Sequence, residues 1–444
     1  MRKDLFRQIL LFAQNDILFV LDNWYRTMAK IVADLHMHSR YSEAVSPQMT
    51  AASIAAYAAR KGVTLAGTGD FTHPKYLIEL KESLRSSGKG LFKLKSPDAP
   101  PVSFMLTTEV TNIFFSRLRK EKRTHVILLA PSFAVVDKLN TELARWGHLD
   151  YDGRPTFRRH VKDLVKLVLD ISSDCMIIPA HLWTPWYSVF GSAYGFNSLE
   201  ECFEEETRNI HAVETGLDSD PAMNWRVSDL DDVTLISCSD AHSLSRIGRE
   251  ATVFDCAEDY HEITGAIQSG DASKLTETIE LFPESGKYYL DGHRKCGISF
   301  FMEEARKQNY LCPECKLPVT VGVIHRVEAL ASRPHGFKHK DRPSFRHSVP
   351  LEELIADAFG LQPKAKKVQD EWEKLTAQAE TELAILHELP EHSLRAVMKK
   401  EIAERILKMR AGEVTIDPGF DGEYGKVRVP LETSPPPPSQ LELF

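Results

Sequence analysis

Between residues 31 and about 256, short apolar runs alternate with longer stretches of helical period. Ile31-Val32-Ala33, Val63 to Ala66, Phe104 to Thr108, Val126 to Leu129, Met176 to Ala180, Ala212-Val213 and Leu235 to Cys238 are too short and too continuously apolar for amphipathic helices, and read as strands. Between them Ala51–Arg60 is alanine-rich, Val135–Trp146 and Val161–Leu169 are amphipathic, and Ala222–Leu230 follows a proline. Such alternation predicts a parallel sheet flanked by helices. Its simplest form is a TIM-like α/β barrel, distorted or short of eight repeats. Beyond residue 350 the pattern becomes that of charged helices, Glu371–Glu388 and His392–Met409. A turn-rich stretch, Asp417–Gly425, then precedes the strand-like Lys426–Val429. No internal repeat is visible.

The strands end in metal-binding side chains. Ile31-Val32-Ala33 delivers His36 and His38, which share a face because extended chain alternates its side chains. Later runs end in Asp70, Glu109, His181, Glu214 and the pair Asp240 and His242, and His125 opens another. Functional side chains at many strand ends are where barrel enzymes keep their chemistry. Imidazoles with carboxylates suit Zn²⁺ or Mn²⁺, and clustered cations clamp phosphoryl groups, so phosphoester hydrolysis is the expected reaction class.

Bulk properties narrow the class. A net charge of −8 gives no global signature of nucleic-acid binding, so any such role must rest on local basic patches. Seven cysteines, an odd number mostly set singly in apolar runs, fit a reducing cytoplasm rather than a secreted disulfide framework. The apolar runs at Ile9–Phe12 and Ile17–Leu21 are interrupted by Asp16 and Asp22, which fits neither a signal peptide nor a membrane span. Residues 1–30 are expected to be an extension, with Met28 an alternative start.

Residues 286–349 form a locally basic segment, with twelve Lys and Arg against six Asp and Glu. His293-x-x-Cys296 followed by Cys312-x-x-Cys315 matches a closed tetrahedral Cys₃His zinc site of structural type. Arg294, Lys295, Arg306, Lys307, Arg326 and Arg333 on that module make a candidate clamp for phosphate backbone.

The strand-end set His36-x-His38, Asp70, Glu109, His125, His181 and Asp240-x-His242 resembles the polymerase and histidinol phosphatase (PHP) superfamily. The resemblance implies a distorted (β/α)7 barrel over residues 31–285 and two or three catalytic divalent metals (Zn²⁺, Mn²⁺ or Mg²⁺). His36, His38, Glu109 and Asp240 would hold one; Glu109 would bridge to a second at His125 and His181; His242 would serve a third, with Asp70 nearby. The chain departs from the family at Phe71, where many members have histidine, and after HxH, where Glu43 and Ala44 stand; His73 is the candidate substitute.

Adding Gly67-Thr68-Gly69-Asp70-Phe71-Thr72-His73-Pro74, the CPxC pair and Thr320-Val321-Gly322-Val323-x-His325-Arg326-Val327-Glu328 narrows the resemblance to endonuclease Q. That resemblance implies a barrel, a structural Zn²⁺ module at 286–349 and a helical region at 350–429. It further implies cleavage of DNA 5′ to hypoxanthine, uracil, xanthine or an abasic site. Asp240, His36, His38 and Glu109 are then the expected catalytic centre, and Arg40, Tyr41, Arg294, Arg326 and Arg333 the expected DNA contacts. Trp183, Trp186 and Tyr187 would line the barrel mouth or stack on DNA, with packing expected for two of the three, and Glu214 is a strand-end acid suited to support a histidine. The tail, 430–444, sets Gln440, Leu441, Leu443 and Phe444 behind Pro435–Pro438, which resembles a bacterial sliding-clamp motif with Glu442 where Ser or Asp is usual. The expected protein is a monomeric, cytoplasmic, nucleoid-associated nuclease with damaged DNA and the β clamp as partners. Its alternatives are a histidinol-phosphatase-like phosphoesterase and a non-catalytic, clamp-tethered DNA-binding protein.

Overall fold

The computed structural model describes residues 30–116, 119–378 and 380–431. Its centre is an eleven-stranded mixed sheet. In ladder order the main strands are Ser344–Ser348, Leu275–Leu281, Ala251–Phe254, Ile31–Asp34, Leu65–Gly67, Ser103–Phe115, Glu121–Ala130 and Met176–Pro179. Ala212–Glu214 and Thr234–Ile236 form a separate parallel pair. Side-chain and loop bonds join that pair to the main sheet, with Ser237 N donating to Thr252 Oγ1 at 3.0 Å and Leu182 N to Glu214 O at 3.0 Å.

The expectation of a parallel sheet is corrected. Ile31–Asp34, Leu65–Gly67 and Ser103–Phe115 run parallel. Glu121–Ala130 is antiparallel to both of its neighbours, and Ala251–Phe254 is antiparallel to Ile31–Asp34. For Ser103–Phe115 and Glu121–Ala130 the cause is the short link between Phe115 and Glu121, long enough for a hairpin and too short for the crossover that parallel strands need.

Strand alternation builds two cores. On one face Ala33, Leu65, Met105, Ile127 and Ile178, from five successive strands of the ladder, share a single cluster with Ala212 and Ile236 of the separate pair. On the other face Ala66, Phe104, Val126 and Ile177 pack under helices. The helix Val161–Ile171 buries Val161, Leu164, Val165 and Val168, the stripe its period predicts. The alanine-rich helix is Ala51–Lys61, opened by the Thr50 hydroxyl on Ser53 N and closed by Gly62 at φ 96°.

Ser344–Ser348, expected within the zinc module, instead joins the main sheet beside Leu275–Leu281. Leu351–Phe359, Lys366–Gln378, Glu391–Val397 and Lys400–Arg410 pack around Leu354, Trp372, Ile402 and Ile406. The expected helix Glu371–Glu388 is divided, its second part being a π turn at Ala384–Glu388, and His392–Met409 breaks at Met398 and Lys399, which are extended. This helical region is anchored to the sheet domain by Lys61, whose Nζ lies 2.7 Å from Glu382 Oε2 with both side chains buried.

Candidate metal centre

A single backbone contact sets the heart of the site. Met37 and Ala241 form a parallel bridge, with His38 N donating to Ala241 O at 3.0 Å. The residues flanking each bridge partner therefore project to the same side: His36 and His38 from one strand end, Asp240 and His242 from the other. Asp240 Oδ1 lies 3.6 Å from His36 Nε2 and 3.3 Å from His38 Nε2. Glu109, in the middle of Ser103–Phe115, brings Oε2 to 3.6 and 3.3 Å from the same two nitrogens. Its other oxygen, Oε1, lies 2.8 Å from His125 Nδ1 and 3.1 Å from His181 Nε2. One carboxylate thus faces two donor groups, His36–His38–Glu109 and Glu109–His125–His181, and a third group joins His38, Asp240 and His242.

The donors fit divalent cations. His36 Nε2, His38 Nε2 and Asp240 Oδ1 are buried without hydrogen-bond partners, converging on the same point. Buried polar atoms left unpaired are costly, and a cation at that point would satisfy all three. The rear nitrogens are already engaged. His36 Nδ1 meets Glu214 Oε1 at 2.9 Å, and His38 Nδ1 meets Asp70 Oδ1 at 3.0 Å. Carboxylates behind imidazoles fix the ring and the tautomer that leave Nε2 free to bind.

Electrostatics point the same way. Burial alone would raise the carboxyl of Glu109, but His125, Arg154 and His36 hold it well below the usual range. Asp240 is likewise held low, against burial, by His36 and His38. Burial pushes His125 down to about 4, which keeps it neutral and able to donate a lone pair.

Several expectations change. Asp70 stands behind His38 rather than among the donors: Oδ2 accepts from Ser39 N at 2.6 Å and Ser42 Oγ at 2.9 Å, so both oxygens are committed. His73 caps the helix Pro74–Ser83 and stacks on Tyr41 at 4.4 Å, away from the donor groups. Arg40 and Tyr41 both engage Glu79. Glu214 supports two histidines, since Oε2 also accepts His181 N at 2.6 Å. Trp183 is buried, Tyr187 stacks on His125 at 4.7 Å, and Trp186 is 39% exposed. Arg326 donates to Phe190 O, Phe196 O and Asn197 Oδ1, and Arg333 pairs with Asp231, so both tie the module to the sheet domain. Arg294 is exposed. His293, Cys296, Cys312 and Cys315 converge into one donor group. The clamp-motif residues Gln440, Leu441, Leu443 and Phe444 lie outside the described residues.

One site residue escaped the sequence reading. Arg154 Nη1 donates to Glu109 Oε2 at 3.1 Å from a loop pressed onto the site. Gly153 permits that approach, because a Cβ there would lie 2.2 Å from Ser42 Oγ and 2.5 Å from Asp70 Oδ2. No spacing marked it. The available signal was the turn composition of Tyr151-Asp152-Gly153 beside a basic residue.

Fold and donor set together define an α/β protein with clustered histidine–carboxylate groups suited to divalent metals. The chain belongs to the endonuclease Q family: it is 30% identical to an endonuclease Q solved with a 27-mer duplex carrying an abasic lesion, at a TM-score of 0.81, covering 90% of this chain and 97% of that one. The lesion-specific endonuclease PfuEndoQ of Pyrococcus furiosus is 29% identical at a TM-score of 0.80, over 94% of this chain and 99% of its own. The uncharacterized Bacillus subtilis (strain 168) protein YqxK is 30% identical over 417 residues, 90% of this chain and all of its own length. Residues 350–413 match the MJ0043 C-terminal domain family. The uncharacterized protein MJ0043 of Methanocaldococcus jannaschii is 33% identical over 254 residues, 55% of this chain and 31% of its own. Among the described residues no helix is long and apolar enough to cross a membrane.

Proposed function

We propose that this protein is a metal-dependent DNA repair endonuclease that hydrolyses the phosphodiester 5′ to a deaminated base or an abasic site. The observation that carries the reading is Glu109, whose two oxygens face two separate imidazole groups inside one buried centre. His36, His38, Glu109 and Asp240 would hold one divalent cation and Glu109, His125 and His181 a second, with His242 beside Asp240. Zn²⁺, Mn²⁺ and Mg²⁺ are the candidate ions. Such ions acidify water, neutralise phosphoryl charge and stabilise a leaving oxygen.

The protein's own residues supply orientation. Glu214 and Asp70 lock the imidazoles of His36 and His38. The lesion nucleotide would leave the base stack to bring its 5′ phosphate to the centre, a step that costs least where pairing is already damaged. Arg40 and Tyr41, at the rim directly after His38, and Arg294 on the zinc module are proposed DNA contacts. His293, Cys296, Cys312 and Cys315 are proposed to hold a structural Zn²⁺, and the tail Gln440–Phe444 to dock on the β sliding clamp.

The test is cleavage of labelled duplexes carrying deoxyinosine, deoxyuridine or an abasic site, with Mg²⁺ or Mn²⁺, beside Asp240→Asn. A cut immediately 5′ of the lesion, lost in the variant, is expected. Intact DNA with hydrolysis of histidinol phosphate would establish a small-molecule phosphatase instead, and inactivity on both with damaged-duplex binding retained would leave only a binding protein.

A further inference from the structure

The hairpin that carries Glu109 and His125 continues well past them. In the Ser103–Phe115 and Glu121–Ala130 ladder, Glu109 opposes Ile127, Thr111 opposes His125, Ile113 opposes Arg123 and Phe115 opposes Glu121. Directly opposed residues of an antiparallel pair share a face, as do residues two apart along a strand. Glu109, His125, Arg123 and Phe115 therefore lie on one continuous face, running from the metal centre to the hairpin tip. The short strand Thr156–Phe157 runs along the same hairpin, with Thr156 beside Thr111. Two residues to either side of Thr156, Arg154 reaches Glu109 at one end, and Arg158 lines a 460 Å³ cleft with Ile113, Phe115 and Arg123 at the other.

This outer stretch has the chemistry of a nucleic-acid track. Arg158 and Arg159 are exposed, as are Arg119 and Lys120 at the tip, and among the described residues none of the four forms an ion pair. Phe115 is 66% exposed, leaving most of its ring open to solvent. Arg123 stacks over Tyr194 at 4.0 Å and bonds the Tyr187 hydroxyl at 3.2 Å, and Tyr187 in turn stacks on His125. An unbroken arginine–aromatic path thus leads to the centre. Glu121 pairs with Arg123 at 2.6 Å, and Asp163 also lines the cleft, so the net positive charge rests on Arg158 and Arg159.

We infer that this hairpin face, with Arg158, Arg159 and Phe115 as its contacts, is the track that holds the DNA strand flanking the scissile phosphate. The inference rests on the nuclease reading above and gives it a second binding surface, apart from the zinc module. The four residue steps of extended strand from Glu109 to Ile113 span roughly 13 Å. That is about four nucleotides of backbone at the duplex rise per strand. Arginine recognises phosphates bidentately, and an exposed ring can stack on any base, so the track has no need of sequence.

The test compares wild type, Arg158→Gln/Arg159→Gln and Phe115→Ala. Binding of an abasic duplex in Ca²⁺ is measured across salt concentrations, and cleavage at saturating DNA in Mg²⁺ or Mn²⁺. For the double variant we expect binding weakened about tenfold, a salt slope smaller by about 0.9 per lost phosphate contact, and unchanged maximal cleavage. For Phe115→Ala we expect weaker binding at an unchanged salt slope. Matched melting temperatures show that the variants are folded. If wild type cuts the lesion but the double variant keeps the wild-type affinity and salt slope, the track is refuted while the nuclease reading stands. If wild type cuts no lesion, the nuclease reading falls first, and salt-dependent binding lost in the double variant would still mark the track.

Discussion

Arg154 Nη1 lies 3.1 Å from Glu109 Oε2, the same oxygen that faces His36 and His38. A guanidinium therefore balances the charge of the centre from the side of the loop. Removing one partner of a buried ion pair leaves the other uncompensated, at about 3–5 kcal/mol for full burial. Arg154 is partly open to solvent, so Arg154→Met should cost the metal-free protein roughly 2–3 kcal/mol. Excess Mn²⁺ should recover most of that loss. Chemical denaturation with and without chelator measures both, and equal losses in the two conditions would show that Arg154 does not balance this site.

The carboxylates behind the histidines should govern metal affinity rather than chemistry. Glu214→Ala frees His36 Nδ1 and His181 N, and Asp70→Ala frees His38 Nδ1 and Ser39 N. Each should weaken metal binding about 10–100-fold, measured by chelator competition. A wild-type affinity in both variants would contradict the support role.

The donor group at His293, Cys296, Cys312 and Cys315 should behave as a folding element. Cys315→Ser is expected to lower bound zinc by one ion per chain and to open the surrounding segment to limited proteolysis. Unchanged zinc content and proteolysis would remove the structural assignment.

A buried acid pair makes stability depend on pH. Burial pushes Glu280 up to about 7, while Glu250, also buried and close to it, is pushed well above the usual carboxyl range. Ser237 Oγ lies 2.9 Å from Glu280 Oε2 and 3.3 Å from Glu250 Oε2. The folded state then binds more protons than the unfolded state between the unfolded value near 4.5 and the raised one, so stability falls as pH rises through that window. From about pH 5 to about pH 8 the loss from Glu280 should be of order 3 kcal/mol. Glu280→Gln keeps an acceptor for Ser237 and Thr215 and should flatten the profile, which denaturation midpoints across this range would read.

The sequence revealed what each strand end carries but not which side of the centre it occupies. His36, His38, Glu109, His181 and Asp240 were legible because apolar runs ending in metal-binding types are a local signal, and His125 because it opens such a run. Asp70 followed the same local rule, yet its oxygens are spent on His38 Nδ1, Ser39 and Ser42, a choice made by three-dimensional packing. The antiparallel return of Glu121–Ala130 along Ser103–Phe115 was hidden because periodicity carries no strand direction. The break at Met398 and Lys399 has neither glycine nor proline to announce it. Arg154 and the inward turn of Arg326 and Arg333 depend on contacts between segments far apart in the chain, which composition cannot see.

Asp70, His181 and Asp240 have φ of 42°, 28° and 46°, a left-handed backbone that most side chains avoid. Asp, Asn and His are among the few non-glycine residues that tolerate it. The choice of side chain at these three strand ends is thus narrowed twice, once by what it must bind or support and again by the backbone that carries it. Replaceability is correspondingly lopsided. Asp240→Asn should leave the fold untouched while removing charge from the centre, whereas Asp240→Val would disturb the strand end before any chemistry could be read. Attempts to re-engineer this centre for a different ion by exchanging these residues would have to rebuild the turns beneath them as well.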